Sequence, residues 1–195
     1  MLAALPDDIV PDKIKSILKL PEVGQIGYVV EDIYSAVKKW QFTNQRVLWL
    51  VLDHDHTCTF RGKRGRCTLR IALAYEGQLQ IELIQVLDGE TIHVGAASKH
   101  EGQIHHLGFM VRNLEDRLEH CHRNGVQVLQ KGTIKSAGLT IDYAYLDISA
   151  IGGSDLILEL IQWRLGPCPI PVNRLVFSIS CALGSWSVFK GKIIR

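Results

Sequence analysis

Apolar positions along this chain follow two periods that take turns. In residues 12–20, DKIKSILKL, Ile14, Ile17 and Leu18 fall on one helical face and the lysines on the other, predicting a short amphipathic helix stopped at Pro21. Gln25-Ile-Gly-Tyr-Val-Val then reads as a strand, rich in β-branched and aromatic residues. Asp32 reads as the N-cap of a helix over Ile33–Trp40, with Ile33, Val37 and Trp40 at apolar spacing. Residues 46–52, 68–75 and 78–86 read as three buried strands, the last two joined by a turn at Glu76-Gly77.

After residue 100 the pattern restarts. His106-Leu-Gly-Phe-Met-Val repeats Gln25-Ile-Gly-Tyr-Val-Val 81 residues on, and Asn113 stands where Asp32 stood as helix cap. The second helix, Leu114 to Asn124, ends at Gly125, a natural residue for the position after a helix. Leu158-Glu-Leu-Ile-Gln162 repeats Ile81-Glu-Leu-Ile-Gln85 at a spacing of 77. Strand, helix and strands thus occur twice in the same order at nearly equal offsets, which chance does not readily produce. A copy of about 75 residues is small to stand alone, whereas two copies in one sheet system are stable.

Each copy carries one polar residue at the start of its first strand and one glutamate inside its last: Gln25 with Glu82, and His106 with Glu159. A carboxylate buried on an apolar strand costs several kcal/mol without a partner. One such residue is explained by an exposed strand face. Two at related positions point to a common object, and a cation satisfies both. Oxygen ligands with one imidazole and no sulfur suit a roughly octahedral divalent ion with open positions, such as zinc, nickel, cobalt, manganese or iron.

Composition narrows the class. Hydrophobic side chains make up 47% and charged ones 22% of 195 residues, which excludes disordered, collagenous and coiled-coil chains. A net charge of +2 gives no global field for nucleic acid. Five cysteines without a CxxC spacing argue against a disulfide framework and a thiolate zinc site, and reduced thiols fit a cytoplasmic protein. No apolar run reaches the ~20 residues of a membrane span; the nearest, 175–189, is short and carries four serines and a glycine. The first twenty residues make a poor signal peptide. Residues 166–171, GPCPIP, interrupt regular structure, and 172–195 read as an edge strand, an arm onto a partner subunit or a loosely held tail.

Over about residues 22–163 the chain resembles the vicinal oxygen chelate superfamily, which includes glyoxalases, methylmalonyl-CoA epimerases, bleomycin-resistance proteins and extradiol dioxygenases. The resemblance rests on the duplicated modules, on Gly102-Gln-Ile-His105-His106-Leu-Gly-Phe, and on Tyr145-Leu-Asp with Gly152-Gly153 and Leu158-Glu159-Leu160-Ile161-Gln162. It implies an α+β fold in which tandem βαβββ modules form a cupped mixed β-sheet around one metal, with Gln25, Glu82, His106 and Glu159 as ligands. The domain scheme is an N-terminal helix extension over 1–21, a domain over 22–163 with modules at about 22–90 and 102–163, and an extension over 164–195. The implied function is a metal-dependent isomerase or epimerase that moves a proton alpha to a carbonyl, of an acyl-CoA thioester. Glu159 is the first candidate for combined ligand and base, and Glu82 its counterpart. The implied partners are a small-molecule substrate and a second copy of the chain.

Alternatives within the superfamily are a glyoxalase-type lyase on a glutathione hemithioacetal and a non-catalytic binding protein. Gln25 and Glu82 differ from the His and Gln usual in the first module of epimerases and look glyoxalase-like, while the flanking motifs look epimerase-like. Gln25 in place of a histidine speaks against a dioxygenase triad, and the intact ligand set against a bleomycin-resistance protein.

Other polar residues have blander readings. Strand alternation sends His105 to the face away from His106. His54-Asp55-His56 reads as a solvated loop, His93 and His100-Glu101 as linker. His120 and His122 suit a helix C-terminus. Arg61 to Arg66 reads as a solvated hairpin turn, with a clamp for an anionic substrate handle as its functional alternative.

Overall fold

The computed structural model describes residues 9–41, 47–100, 102–136, 139–153, 156–171, 173–175, 177 and 192–194. Its first half runs α1 (Asp12–Leu18), β1 (Gln25–Val29), α2 (Ile33–Gln41), β2 (Trp49–Phe60), β3 (Lys63–Glu76), β4 (Leu79–Gly89) and the short α3 (Ala96–His100). The second runs β5 (His106–Met110), α4 (Leu114–Arg123), β6 (Gln127–Ser136), β7 (Leu139–Asp147), a 3-10 turn at Ser149–Ile151, and β8 (Ile157–Leu165), with short strands β9 (Cys168–Pro169) and β10 (Lys192–Ile194) after it.

The sheet order is β2-β3-β4-β1 in one module and β5-β8-β7-β6 in the other. The modules join where β1 lies antiparallel to β5, with Gln25 opposite Gly108 and Gly27 opposite His106. Within each module the first strand pairs in parallel with the last, β1 with β4 and β5 with β8. Cys58–Phe60 of β2 also pair with Gln130–Gly132 of β6, so the cupped sheet closes into a ring of eight strands.

Strand alternation gives this sheet two apolar faces. Ile26 and Tyr28, Ile81 and Leu83, Leu107 and Phe109, and Leu158 and Leu160 point outward and form one core with Ile14, Leu18, Ile33, Val37, Leu114 and Leu118 of the helices. Each such side chain contributes roughly 1.5–3 kcal/mol by leaving water. The inner face carries a second cluster that includes Leu52, Leu69, Ile71, Leu73, Ile84, Ile161 and Trp163.

The repeat extends to the helix caps. Asp32 Oδ1 accepts from the Ser35 amide at 2.8 Å, as the sequence predicts. Asn113 sits at the equivalent position but makes no capping bond, its side-chain amide instead meeting Asp116. The strands supply the caps instead: Gln85 Oε1 accepts from Ile33 N at 3.3 Å, and Gln162 Oε1 from Leu114 N at 2.7 Å. The repeated final glutamine therefore docks each helix on its own module. α1 is held by α4, where Arg117 donates to the Lys19 carbonyl and His120 Nε2 to the Ile17 carbonyl at 2.7 Å.

Beyond β8, residues 192–194 form an edge strand antiparallel to Trp49–Val51 of β2. Cys181, Lys190, Arg195 and most of the apolar stretch 175–189 lie outside the described residues. Phe177 is buried in the inner cluster, its ring 5.2 Å from that of Tyr75. Phe177→Ala is expected to cost about 3 kcal/mol, read by chemical denaturation, because it removes a buried ring from a closed cup. A loss under about 0.5 kcal/mol would show that this segment does not seal the interior.

Candidate metal centre

Alternation places Gln25, Glu82, His106 and Glu159 on the inner face, near the β1–β5 seam. They are 3%, 8%, 0% and 5% exposed, so none of the four is solvated as a surface polar group would be. Ligand atoms of Glu82, His106 and Glu159 lie within 4.8 Å of one another. His106 Nε2 is 3.2 Å from Glu82 Oε2 and 3.2 Å from Glu159 Oε2. These are ion-pair distances without hydrogen-bond geometry: His106 Nε2, Glu82 Oε2, Glu159 Oε2 and Gln25 Oε1 are all buried without a hydrogen-bond partner. An unsatisfied buried polar atom costs about 1–3 kcal/mol, more when charged. One divalent cation satisfies oxygen, oxygen, nitrogen and oxygen at once, so this donor set fits such an ion.

Two glycines make the approach possible. Gly27 lies between His106 on β5 and Glu82 on β4, and Gly108 between Gln25 on β1 and Glu159 on β8. A Cβ on Gly27 would fall within the His106 ring, and one on Gly108 would stand 2.6 Å from Gln25 Oε1. Each module's glycine thus leaves room for the other module's polar residue.

The neighbours fix orientation. Gln25 Nε2 donates to Gln80 Oε1 at 2.9 Å, and Gln80 Nε2 to the Tyr75 hydroxyl at 3.2 Å. That chain leaves the Gln25 oxygen as its free atom. His106 Nδ1 lies 3.1 Å from His105 Nδ1, and the Tyr145 ring stands edge-on to His106 with centroids 5.1 Å apart.

Burial works to lower the His106 pKa, but Glu159 and Glu82 outweigh it and raise it to about 9. Burial pushes Glu82 up from the usual carboxylate range, against the pull of His106. In the metal-free protein, the raised His106 pKa gives stability that is complete below the unfolded value near 6.5 and fades as pH rises through about 9. A metal must displace that proton. Divalent-metal affinity is therefore expected to rise about tenfold per pH unit below pH 9 and flatten above it. Calorimetric titrations across a pH series check this, and an affinity independent of pH from 6.5 to 8.5 would contradict it.

Three sequence expectations need correction. His105 does not turn away: it precedes β5, so strand alternation does not govern it, and its ring meets His106. His54-Asp55-His56 is not a loop, because β2 continues to Phe60. Its alternation sends His54 and His56 into the cavity with Leu52, while Asp53 and Asp55 face outward onto Arg70 and Arg66. His93 is more than linker: it is 1% exposed and lines the same cavity. The alternation Leu52, His54, His56, Cys58 signals the two β2 histidines; no pattern signals His93. Arg61–Gly62 forms the expected hairpin turn, with Arg66 held by Asp55.

Comparison with known proteins agrees with the fold. The model of the Glyoxalase/Bleomycin resistance protein/Dioxygenase superfamily matches residues 24–145. A hypothetical protein from Bacillus halodurans C-125 is similar at 23% identity over 72% of this chain and 92% of its own, with a TM-score of 0.52. Methylmalonyl-CoA epimerase from Mycobacterium tuberculosis is similar at 19% identity over 73% and 87%, with a TM-score of 0.51. A variant of the Streptomyces coelicolor methylmalonyl-CoA epimerase, in complex with 2-nitronate-propionyl-CoA, is similar at 16% over 78% and 99%, with a TM-score of 0.53. No protein of curated function matches the chain. At these identities the solved structures share the fold. Among the described residues, no helix is long and apolar enough to cross a membrane.

Proposed function

This chain belongs to the Glyoxalase/Bleomycin resistance protein/Dioxygenase superfamily, and from that premise we propose that it is a metal-dependent isomerase or epimerase moving a proton alpha to a carbonyl, with an acyl-CoA thioester as substrate class. The observation that carries the proposal is the convergence of buried ligand atoms of Glu82, His106 and Glu159, none of them in a hydrogen bond, with the buried, unbonded oxygen of Gln25 lining the same cavity. These residues would hold one divalent ion, which supplies a Lewis acid to polarise a carbonyl oxygen when bound.

The chain's own residues supply the rest. Glu82 and Glu159 stand on opposite modules, so a carboxylate is available on either side of a carbon placed between them. Glu159 takes the proton from that carbon as a carboxylate, and Glu82, starting protonated, delivers its own to the opposite face, which inverts the centre. The two carboxyls are left with their protonation exchanged, ready for the reverse direction or for resetting by solvent. Burial raises the Glu82 pKa above the usual carboxylate range, so this carboxyl holds a proton more readily than a solvated one. The apolar walls of Leu52, Ile71, Ile84 and Ile161 keep bulk water from competing for it.

The Gln25–Glu82 pair of the first module favours a second reading, a glyoxalase-type lyase. Reprotonation then occurs on the neighbouring carbon of a glutathione hemithioacetal.

Metal content and deuterium exchange test both. The metal-supplemented protein is expected to hold one divalent ion per chain and to exchange the alpha proton of methylmalonyl-CoA for deuterium from D2O. Turnover of the hemithioacetal without such exchange would favour the lyase. Under about a tenth of an ion per chain would sink both.

A further inference from the structure

A second polar system reaches the same cavity beside the proposed centre, its His93 ring 6.4 Å from that of His106. It runs from His93 through Thr91, Gln130 and Tyr143 to His56. Thr91 Oγ1 lies 2.9 Å from His93 Nδ1 and 2.9 Å from Gln130 Oε1. The Ile92 amide also reaches Gln130 Oε1, at 2.9 Å. Gln130 Nε2 donates to the Tyr143 hydroxyl at 3.1 Å, and that hydroxyl lies 2.8 Å from His56 Nε2. Thr91, His93 and Gln130 are 0–2% exposed, so water does not compete for these bonds.

One backbone amide sets the direction of the bonds from Gln130 to Thr91, His93 and Tyr143. A backbone N–H can only donate, so the Gln130 atom it meets is the carbonyl oxygen. Thr91 must then give its single proton to that oxygen. Its remaining capacity toward His93 is as acceptor, so His93 Nδ1 carries the proton and His93 Nε2 is a bare lone pair. At the other end, Tyr143 accepts from Gln130, and the arrangement that leaves no buried hydroxyl proton unpaired has it give its own to His56 Nε2, which Cys67 Sγ also approaches at 3.9 Å. His56 then carries its proton on Nδ1. Both terminal atoms, His93 Nε2 and His56 Nδ1, are buried without a hydrogen-bond partner, and both residues line the cavity. Burial holds both rings in the neutral form: His93 well below its ordinary pKa, and His56 at about 4 with a further push from His54.

We propose that this chain fixes His93 and His56 as the accepting and donating poles of a substrate-recognition wall. It suits a small hydroxy acid, or its thioester, whose hydroxyl meets His93 Nε2 and whose carbonyl or carboxylate oxygen meets His56 Nδ1–H. The ligand class rests on the reading of the cavity as a site for carbonyl compounds; the polarity of the wall does not. Thr91, Gln130 and Tyr143 act as positioning residues. A ligand that offers both groups, as the hydroxyl-bearing hemithioacetal of the second reading does, is favoured over methylmalonyl-CoA, which has no hydroxyl, because an unmatched buried group is costly.

Long-range proton–nitrogen correlation on the metal-free full chain, labelled at histidine nitrogen, tests the polarity without any turnover. His93 is expected with Nδ1 protonated and Nε2 bare, and His56 with Nδ1 protonated and Nε2 bare. Gln130→Glu reverses one end only. The carboxylate accepts from Ile92, Thr91 and now Tyr143, so the tyrosine proton leaves His56, whose Nε2 becomes the donor. His56 changes tautomer and His93 does not. If that variant fails to fold, Tyr143→Phe releases His56 from a single tautomer and again leaves His93 unchanged. Lactate is expected to shift both His93 Nε2 and His56 Nδ1; propionate, which lacks the hydroxyl, shifts His56 alone. A wild-type His93 protonated at Nε2, a His56 unmoved by Gln130→Glu, or lactate perturbing neither ring overturns the proposal. Loss of metal or turnover with these signatures intact would instead count against the proposed function.

Discussion

Glu159→Gln is expected to lose metal binding and turnover together while the fold survives. The substitution keeps size and shape but removes one of the two charges that face His106 Nε2, where Glu159 Oε2 lies at 3.2 Å. Changes to groups that merely orient a ligand cost about 10–100-fold in metal affinity. Loss of a ligand charge in a buried centre should cost about 100-fold or more. If Glu159 is also the base, turnover falls by a further 10²–10⁴-fold, the usual worth of a positioned general base. Gln occupies the same space, so the fold should survive, while the metal-free protein should melt below wild type near neutral pH and approach it above pH 9, because the charge that chiefly raises the His106 pKa is gone. Added metal should raise the melting temperature of the wild type and leave the variant unmoved. Elemental analysis and the deuterium-exchange rate separate the roles of ligand and base: a variant that holds a full metal complement but does not exchange identifies a base alone. Full metal content with full exchange would remove Glu159 from the site.

That prediction starts from a position visible in the primary structure, and the reason is physical. Strands with both faces buried expose a misplaced carboxylate at once, because no solvated face exists to receive it. Glu82 and Glu159 stand out for that reason, and duplication turns two oddities into one site. Gln25 and His106 are legible by the same logic at the head of each module. The partners that orient the polar side chains of the cavity are not, since Gln80 meets Gln25 across 55 residues and, beside His93, Gln130 meets Thr91 across 39. Such contacts depend on how the sheet closes, which local periodicity does not encode. His54 and His56 were within reach of alternation, but an unbroken charged run, His-Asp-His, resembles a loop more than a strand whose outer aspartates pair with Arg70 and Arg66. His105 exposes the opposite error, a strand rule applied one residue before the strand begins.

The glycines give the sharpest test of whether duplication built the centre. Gly27 and Gly108 occupy the same place in the two copies, and neither has a positive φ, so conformational freedom does not explain them. Their reason is space. At Gly27 a methyl group would occupy the position of the His106 ring itself, and that ring is fully buried among Glu82, Glu159, His105 and Tyr145, so it could yield only by leaving the two carboxylates for the cavity. Gly27→Ala should therefore drive out the imidazole or part the β1–β5 seam. Overpacking usually costs about 1–3 kcal/mol, and this case belongs at the upper end. At Gly108 the methyl group would meet Gln25 Oε1 at 2.6 Å, Gln25 Cβ at 2.8 Å and Ile161 Cδ1 at 3.0 Å. Two of these are ends of flexible side chains that yield by small shifts, while Gln25 Cβ moves only with the β1 backbone, so Gly108→Ala should cost about 1–2 kcal/mol, less than Gly27→Ala. Metal binding should be abolished in the first variant and only weakened in the second, since one displaces a nitrogen ligand and the other nudges a neutral amide. Denaturation midpoints and metal titrations on the two variants read both differences. Equal losses in the pair, or a Gly27→Ala protein that loads metal normally, would mean that the seam does not hold His106 as described and that the symmetry of the site is a matter of sequence alone.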